Sequence, residues 1–132
     1  MQRDLSELKL IIIDVISMVG ADMLYKIHMR LTEIFATPVT VPFGGISIIL
    51  VGDLLQLPPV RGTCVFSTPE MSQFKGLADA KPLWDEFKPM ILKHNHRQGK
   101  DKEWANSLNR FREGIVWEED KKVLESRVIS DE

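Results

Sequence analysis

Residues 46–60 read I-S-I-I-L-V-G-D-L-L-Q-L-P-P-V. The first half is an almost unbroken aliphatic run that stops at Gly52-Asp53. Such a run suits a strand buried on both faces, as in a parallel sheet. Pro58-Pro59 forces an extended exit, because a proline restricts the residue before it to extended geometry. The same design occurs upstream. Residues 8–14 read L-K-L-I-I-I-D, again aliphatic and again ending in a carboxylate, Asp14. A helical segment is the rival reading of so short a run, but four consecutive apolar positions before an acid favour a strand. Between the two runs, Leu24, Ile27, Leu31, Ile34 and Phe35 recur at spacings of three and four. That spacing predicts an amphipathic helix over 19–36, with Asp22 in its first turn and Thr37-Pro38 ending it. Strand, helix, strand is the crossover unit of an α/β fold, a parallel sheet with flanking helices.

Downstream the signals are shorter. Residues 61–76 read as loop, broken by Gly62, Pro69 and Gly76. Residues 77–87 are expected to hold a short helix with Leu83, Trp84 and Phe87 on its apolar side. Residues 90–92 are a short apolar strand candidate. Asp101 is placed to cap a helix over 102–113, with Trp104, Ala105, Leu108 and Phe111 facing inward and Gly114 closing it. A last helix is expected over 118–127, with Val123 and Leu124 buried, and the tail beyond Ser130 is expected to fray.

Composition narrows the function classes. The chain has 132 residues, 44% of them hydrophobic, so a packed core is expected rather than general disorder. A net charge of -2 offers no strongly basic surface overall. The balance is uneven, however: residues 88–112 carry seven Lys/Arg against two acids, a local excess that suits either phosphate or a solvated helix face. One cysteine, Cys64, rules out a disulfide within the chain and a Cys-based zinc site, and fits a reducing compartment. The longest apolar run is too short to span a bilayer, and the polar opening residues give no secretory signal.

The candidate chemistry lies at the strand ends. In an open α/β sheet, ligands bind beyond the carboxyl ends of the strands. Asp14 and Asp53 both stand there, and two carboxylates on adjacent tips suit Mg²⁺, directly or through water. Gly52 permits close backbone approach. Gln56 lies just past the second tip, where an amide can touch a terminal phosphate or position an attacking water. His94 and His96 flank Asn95, but no third ligand of matching geometry is evident, so both read as surface or hydrogen-bonding residues. Trp104 sits on an apolar helical face and reads as core; Trp84 and Trp117 are candidates for core or for base stacking.

Four stretches resemble the Pif-type helicases, a branch of superfamily 1 related to RecD and to Helitron transposon helicases. I-I-D-V-I-S-M-V-G-A-D-M-L, residues 12–24, resembles their motif II. P-F-G-G-I-S-I-I-L-V-G-D-L-L-Q-L-P-P-V, residues 42–60, resembles motif III with its lead-in. L-K-H-N-H-R-Q, residues 92–98, resembles motif IV, and L-N-R-F-R-E-G, residues 108–114, the helix after it. The resemblance implies an incomplete RecA-like fold: residues 1–92 would form the C-terminal part of the first motor domain and residues 93–132 the start of the second. It implies ATP as substrate, Mg²⁺ as cofactor, and single-stranded or forked DNA as partner of a 5′ to 3′ motor. Asp14 would be the magnesium carboxylate, Gln56 the phosphate sensor, and Arg97 the arginine reaching the γ-phosphate, a task that suits its planar, permanently charged fork. Family roles in DNA repair, recombination, telomere maintenance or Helitron transposition follow as expectations, in the nucleus or a mitochondrion if the source is eukaryotic.

Two departures temper the implied activity. The family reads Asp-Glu in motif II, where this chain reads Asp14-Val15. The missing Glu is the general base for water attack, and valine cannot take a proton. No G-x-x-x-x-G-K-[ST] phosphate loop occurs in the sequence. The chain alone is therefore expected to be catalytically impaired. The alternative is a non-catalytic single-stranded-DNA-binding module, or a structural remnant of a transposon helicase.

Overall fold

The structure, a computed structural model, describes residues 5–67, 83–99 and 101–129. The loop expected over 68–76, the first part of the helix expected over 77–87 and the tail after Ile129 lie outside the described residues. The chain divides into two compact units, Met1–Pro89 and Met90–Glu132.

In the first unit the two aliphatic runs form strands β1 (Leu10–Ile13) and β2 (Ser47–Leu50). They pair in parallel, in the register Leu10 to Ser47 through Ile13 to Leu50. Helix α1 (Ala21–Phe35) connects them. Asp22 stands in its first turn, as the sequence implied. Ala36 leaves the helix in a left-handed conformation (φ 51), and the Thr37 N–H returns to the Thr32 carbonyl at 3.0 Å.

The core cluster is Ile16, Leu24, Leu31, Phe43 and Val65, with Ile11, Ile13, Ile48 and Leu50 packed against it from the strands. Burial on both strand faces does not hold. Exposure alternates along each strand, and Leu10, Ile12 and Ile49 are 42%, 61% and 46% exposed. The physical reason is that α1 and the loops cover one face of this two-stranded sheet, and no other described element of this unit covers the second. Residues 83–86 form a 3-10 turn rather than an α-helix, with Leu83, Trp84 and Phe87 packed on the core cluster as expected.

The loop after α1 is anchored by His28, which sequence reading passed over. His28 is buried, and its Nδ1 accepts the Phe43 N–H at 2.9 Å. Its ring meets Tyr25 and Phe43 edge-on, at 5.7 and 5.6 Å between centroids. Burial lowers the His28 pKa, and a hydrogen bond to the Val39 backbone opposes that shift. The imidazole is therefore a neutral structural link between α1 and the lead-in to β2.

The second unit contains helices α2 (Lys102–Arg112) and α3 (Glu118–Glu125). Asp101 caps α2 as predicted, accepting the Trp104 N–H at 3.0 Å, and Gly114 (φ 74) follows its end. Trp104, Ala105, Leu108 and Phe111 are half-buried; the fully buried residues are instead polar, Ser107 and Asp120. Leu124 is 42% exposed, against expectation, because α3 turns its Asp120 face inward. The strand candidate over 90–92 is not a strand. Met90, Ile91 and Leu92 are 90%, 83% and 90% exposed, and no described strand is paired with them.

Candidate functional site

The carboxyl ends of β1 and β2 lie side by side. The Val51 N–H donates to the Ile13 carbonyl at 2.8 Å, and the Ile16 N–H donates to the Val51 carbonyl at 3.0 Å. These two bonds tie together the exits of both strands. Asp14 is the first residue past β1. It is exposed, and its Oδ1 accepts the Val15 N–H at 2.7 Å. Asp53 stands on the neighbouring exit, half-buried, with Oδ1 accepting the Leu55 N–H at 3.1 Å. The Asp53 carbonyl accepts the Gln56 N–H at 3.0 Å, so Gln56 closes a tight turn with its side chain exposed.

The fold thus brings Asp14, Asp53 and the turn carrying Gln56 to one end of the sheet. Arg97 belongs to the other unit. It is exposed, and its backbone N–H donates to Asn95 Oδ1 at 3.0 Å. The same oxygen accepts the Gln98 N–H at 3.4 Å. Asn95 therefore sets the turn that presents Arg97, a role the sequence reading had not assigned.

The donors at the strand tips are hard oxygens. They fit a Mg²⁺ ion, which takes one or two carboxylates and fills its remaining positions with water and phosphate oxygens. Among the described residues no group of three or more His, Cys, Asp or Glu could form a complete protein cage. Beside Asp14, Val15 is 44% exposed and offers no proton acceptor at its side chain. Gly52 holds a conformation (φ 148) in which a Cβ would stand 2.8 Å from the Ile16 nitrogen. The close approach expected of this glycine is therefore present.

The other candidates are exposed or engaged in ring contacts. His94 and His96 are exposed, with rings 6.4 Å apart. Trp84 packs against Phe66 and Phe87. Trp104 is half-buried beneath the Arg127 guanidinium at 4.6 Å, and Trp117 lies beneath that of Arg110 at 4.3 Å.

Comparison with known proteins gives a consistent result. The family model described as PIF1-like helicase matches residues 1–122. The ATP-dependent DNA helicase PIF1 of Candida albicans is 33% identical over 113 residues, which is 83% of this chain and 12% of that relative. The helicase PIF7 of Trypanosoma brucei brucei is 40% identical over 77 residues, 57% of this chain and 7% of that protein. Among solved structures, a Pif1 helicase studied for unwinding at forked double-stranded DNA superposes with a TM-score of 0.73 at 29% identity. That match covers 97% of this chain and 32% of the other. Bacteroides Pif1 bound to single-stranded DNA superposes at 0.69 with 27% identity, covering 99% and 31%. The chain therefore spans a small part of its relatives' length, and in sequence and in fold it belongs to the PIF1-like helicase family.

Proposed function

We propose that this chain carries the metal-binding and phosphate-sensing strands of an ATP-driven, 5′ to 3′ DNA helicase motor. The observation that carries the reading is the pairing of β1 and β2, which sets Asp14 beside the turn that holds Gln56. Asp14 would hold the magnesium that bridges nucleotide phosphates. Gln56 would contact the terminal phosphate or its attacking water, and Arg97, from the second unit, would neutralise charge on the transferred phosphoryl. On this reading residues 1–92 belong to the first RecA-like domain and residues 93–132 open the second. Relatives solved with ADP-AlF3 and with single-stranded DNA support nucleotide and DNA as ligands. The nucleus or a mitochondrion as its place of work, and repair, recombination or Helitron transposition as its pathway, rest on the family resemblance alone.

The 132 residues by themselves are expected to show no DNA-stimulated ATP turnover, since they lack a phosphate loop and carry Val15 where the family has Glu. A graft tests the reading positively. Residues 10–60 replace the matching segment of the Candida albicans relative, and steady-state ATPase is measured with single-stranded DNA. The graft is expected to lose about 10²–10⁴-fold in kcat, the usual worth of a general base, and Val15→Glu is expected to restore most of it. A graft that Val15→Glu leaves inert would remove the motor reading. Robust turnover by the ungrafted chain would remove the claim of impairment.

One observation favours a second reading, a non-catalytic DNA-binding module. Lys88, Lys93 and Arg97 are exposed on a stretch, residues 88–97, that contains no acid. Three phosphate contacts predict a slope near -2 for log affinity against log salt on single-stranded DNA, from about -0.7 per contact. No binding at low salt would exclude this module.

A further inference from the structure

The two strand exits are joined by a defect in the ladder. In a regular parallel pairing that continues the observed register, the Val51 carbonyl would accept from residue 15. It accepts instead from Ile16, at 3.0 Å, while the Val51 N–H still bonds to the Ile13 carbonyl. One extra residue is therefore looped out between the two bonds, which makes a β-bulge at 14–15. Bulges re-aim side chains and are common beside active sites.

Two features close this bulge. Val15 is left-handed (φ 53, ψ 49), a conformation rare for a β-branched residue and costly to hold. The amide that the ladder releases is taken up by Asp14, whose Oδ1 accepts the Val15 N–H at 2.7 Å. On the other strand Gly52 presses against the same turn. A Cβ there would meet the Ile16 nitrogen at 2.8 Å, Ile16 Cγ2 at 3.1 Å and the Val15 carbonyl carbon at 3.4 Å. Gly52 immediately precedes Asp53, which starts the turn holding Gln56.

We propose that Val15 and Gly52 are a pair of positioning residues, which close a bulge that aims the Asp14 carboxylate relative to the Gln56 turn. The inference rests on the reading of Asp14 as the metal carboxylate, but the bulge itself is tested without nucleotide. The left-handed turn is a property of the backbone, so side chains suited to it relieve cost there. Asn tolerates this conformation; Thr, β-branched like Val, does not.

The test uses the full chain, with thermal melts and the amide NMR signal of residue 15. Val15→Asn is expected to melt roughly 4–8 °C higher, and Val15→Thr within a few degrees of the parent. Gly52→Ala is expected to break the bond between the residue 15 amide and the Asp14 carboxylate. That loss appears as an upfield shift and at least tenfold faster exchange of that amide, with α1 amides unchanged; a merely structural defect would speed both alike. Val15→Asn no more stable than Val15→Thr overturns the proposal. So does a folded Gly52→Ala chain with an unchanged residue 15 signal. Should Gly52→Ala fail to fold, the Asn–Thr comparison decides. Manganous ion alone, added to the parent, is expected to broaden the Val15 and Leu55 amides together. No broadening, with the Asn–Thr difference intact, counts against Asp14 as a metal ligand and not against the bulge.

Discussion

Gly44→Ala is expected to lower the melting midpoint of the Met1–Pro89 unit far more than Gly45→Ala does. Gly44 is buried and left-handed (φ 65), and a Cβ on it would stand 2.7 Å from the Leu31 carbonyl oxygen and 2.9 Å from its carbon. Both are backbone atoms of α1, so no side-chain rotation relieves the contact. Either the loop lifts from the helix or the helix bends. If the loop lifts, Phe43 leaves the core cluster and its N–H leaves His28 Nδ1. Three costs then act together: a left-handed residue with a Cβ, overpacking, and a buried acceptor left without its donor. Each is about 1–3 kcal/mol; since they share one cause we expect about 3–5 kcal/mol in total. For a unit of this size that lowers the melting midpoint by at least about 12 °C. Gly45→Ala is the control. Gly45 is also left-handed (φ 79), but the nearest atom to a Cβ is Val41 Cγ1 at 3.9 Å, so only the conformational cost, about 1 kcal/mol, applies. Equal midpoints for the two variants in a melt followed by circular dichroism would show that the loop does not seat on α1 as described.

The contrast between these neighbouring glycines shows where the sequence was informative and where it was silent. Local patterns carried most of the first unit. An aliphatic run closed by an acid marked each strand, and a three-to-four spacing marked α1, because burial on one side imposes a period that a single segment displays. Gly52 could be singled out because it sits between a strand and an acid, where little besides close approach explains it. The left-handed turn at Val15 could not, because it depends on Val51 accepting from Ile16 rather than from residue 15, a fact about a strand more than thirty residues away. The same limit explains 90–92. Three apolar residues read as a buried strand, but a strand exists only where another is available to pair, and the described neighbours supply none. Asp14 and Gln56 were legible as residues, and their adjacency followed once the two strands were taken as parallel neighbours. Arg97 was legible only through resemblance, since an exposed arginine in an irregular segment has no local signature.

The polar centre of the second unit was hidden for the same reason, and it supplies the other large effect. Asp120 and Ser107 are fully buried. Asp120 Oδ1 accepts the Ser107 hydroxyl at 2.7 Å, and Oδ2 accepts Arg110 Nε at 2.8 Å and the Trp117 N–H at 2.9 Å. A second Arg110 nitrogen reaches Oδ1, so the guanidinium grips the carboxylate with two nitrogens while lying over the Trp117 ring. One side chain thus fastens α2, the link after it and the start of α3. Removing one member of a buried ion pair costs far more than the pair contributes, because the other is left desolvated without its partner. Asp120→Asn is expected to speed hydrogen exchange of the α2 and α3 amides at least tenfold at neutral pH, with Met1–Pro89 unaffected. Lys121→Ala, which breaks an exposed contact to Glu118, is expected to change little. The effect depends on pH in a fixed direction. Arg110 holds the Asp120 carboxyl well below the usual carboxylate range; burial opposes this, and Ser107 and the Trp117 backbone assist it. A folded-state pKa below the unfolded one means that the unfolded chain binds the extra proton. The stabilisation is therefore complete above an ordinary carboxylate pKa of about 3.9 and fades as pH falls through the lower folded value. Parent and Asp120→Asn should accordingly differ most near neutrality and converge in strong acid. A difference that stayed constant into strong acid would mean that the carboxylate charge is not what joins the two helices.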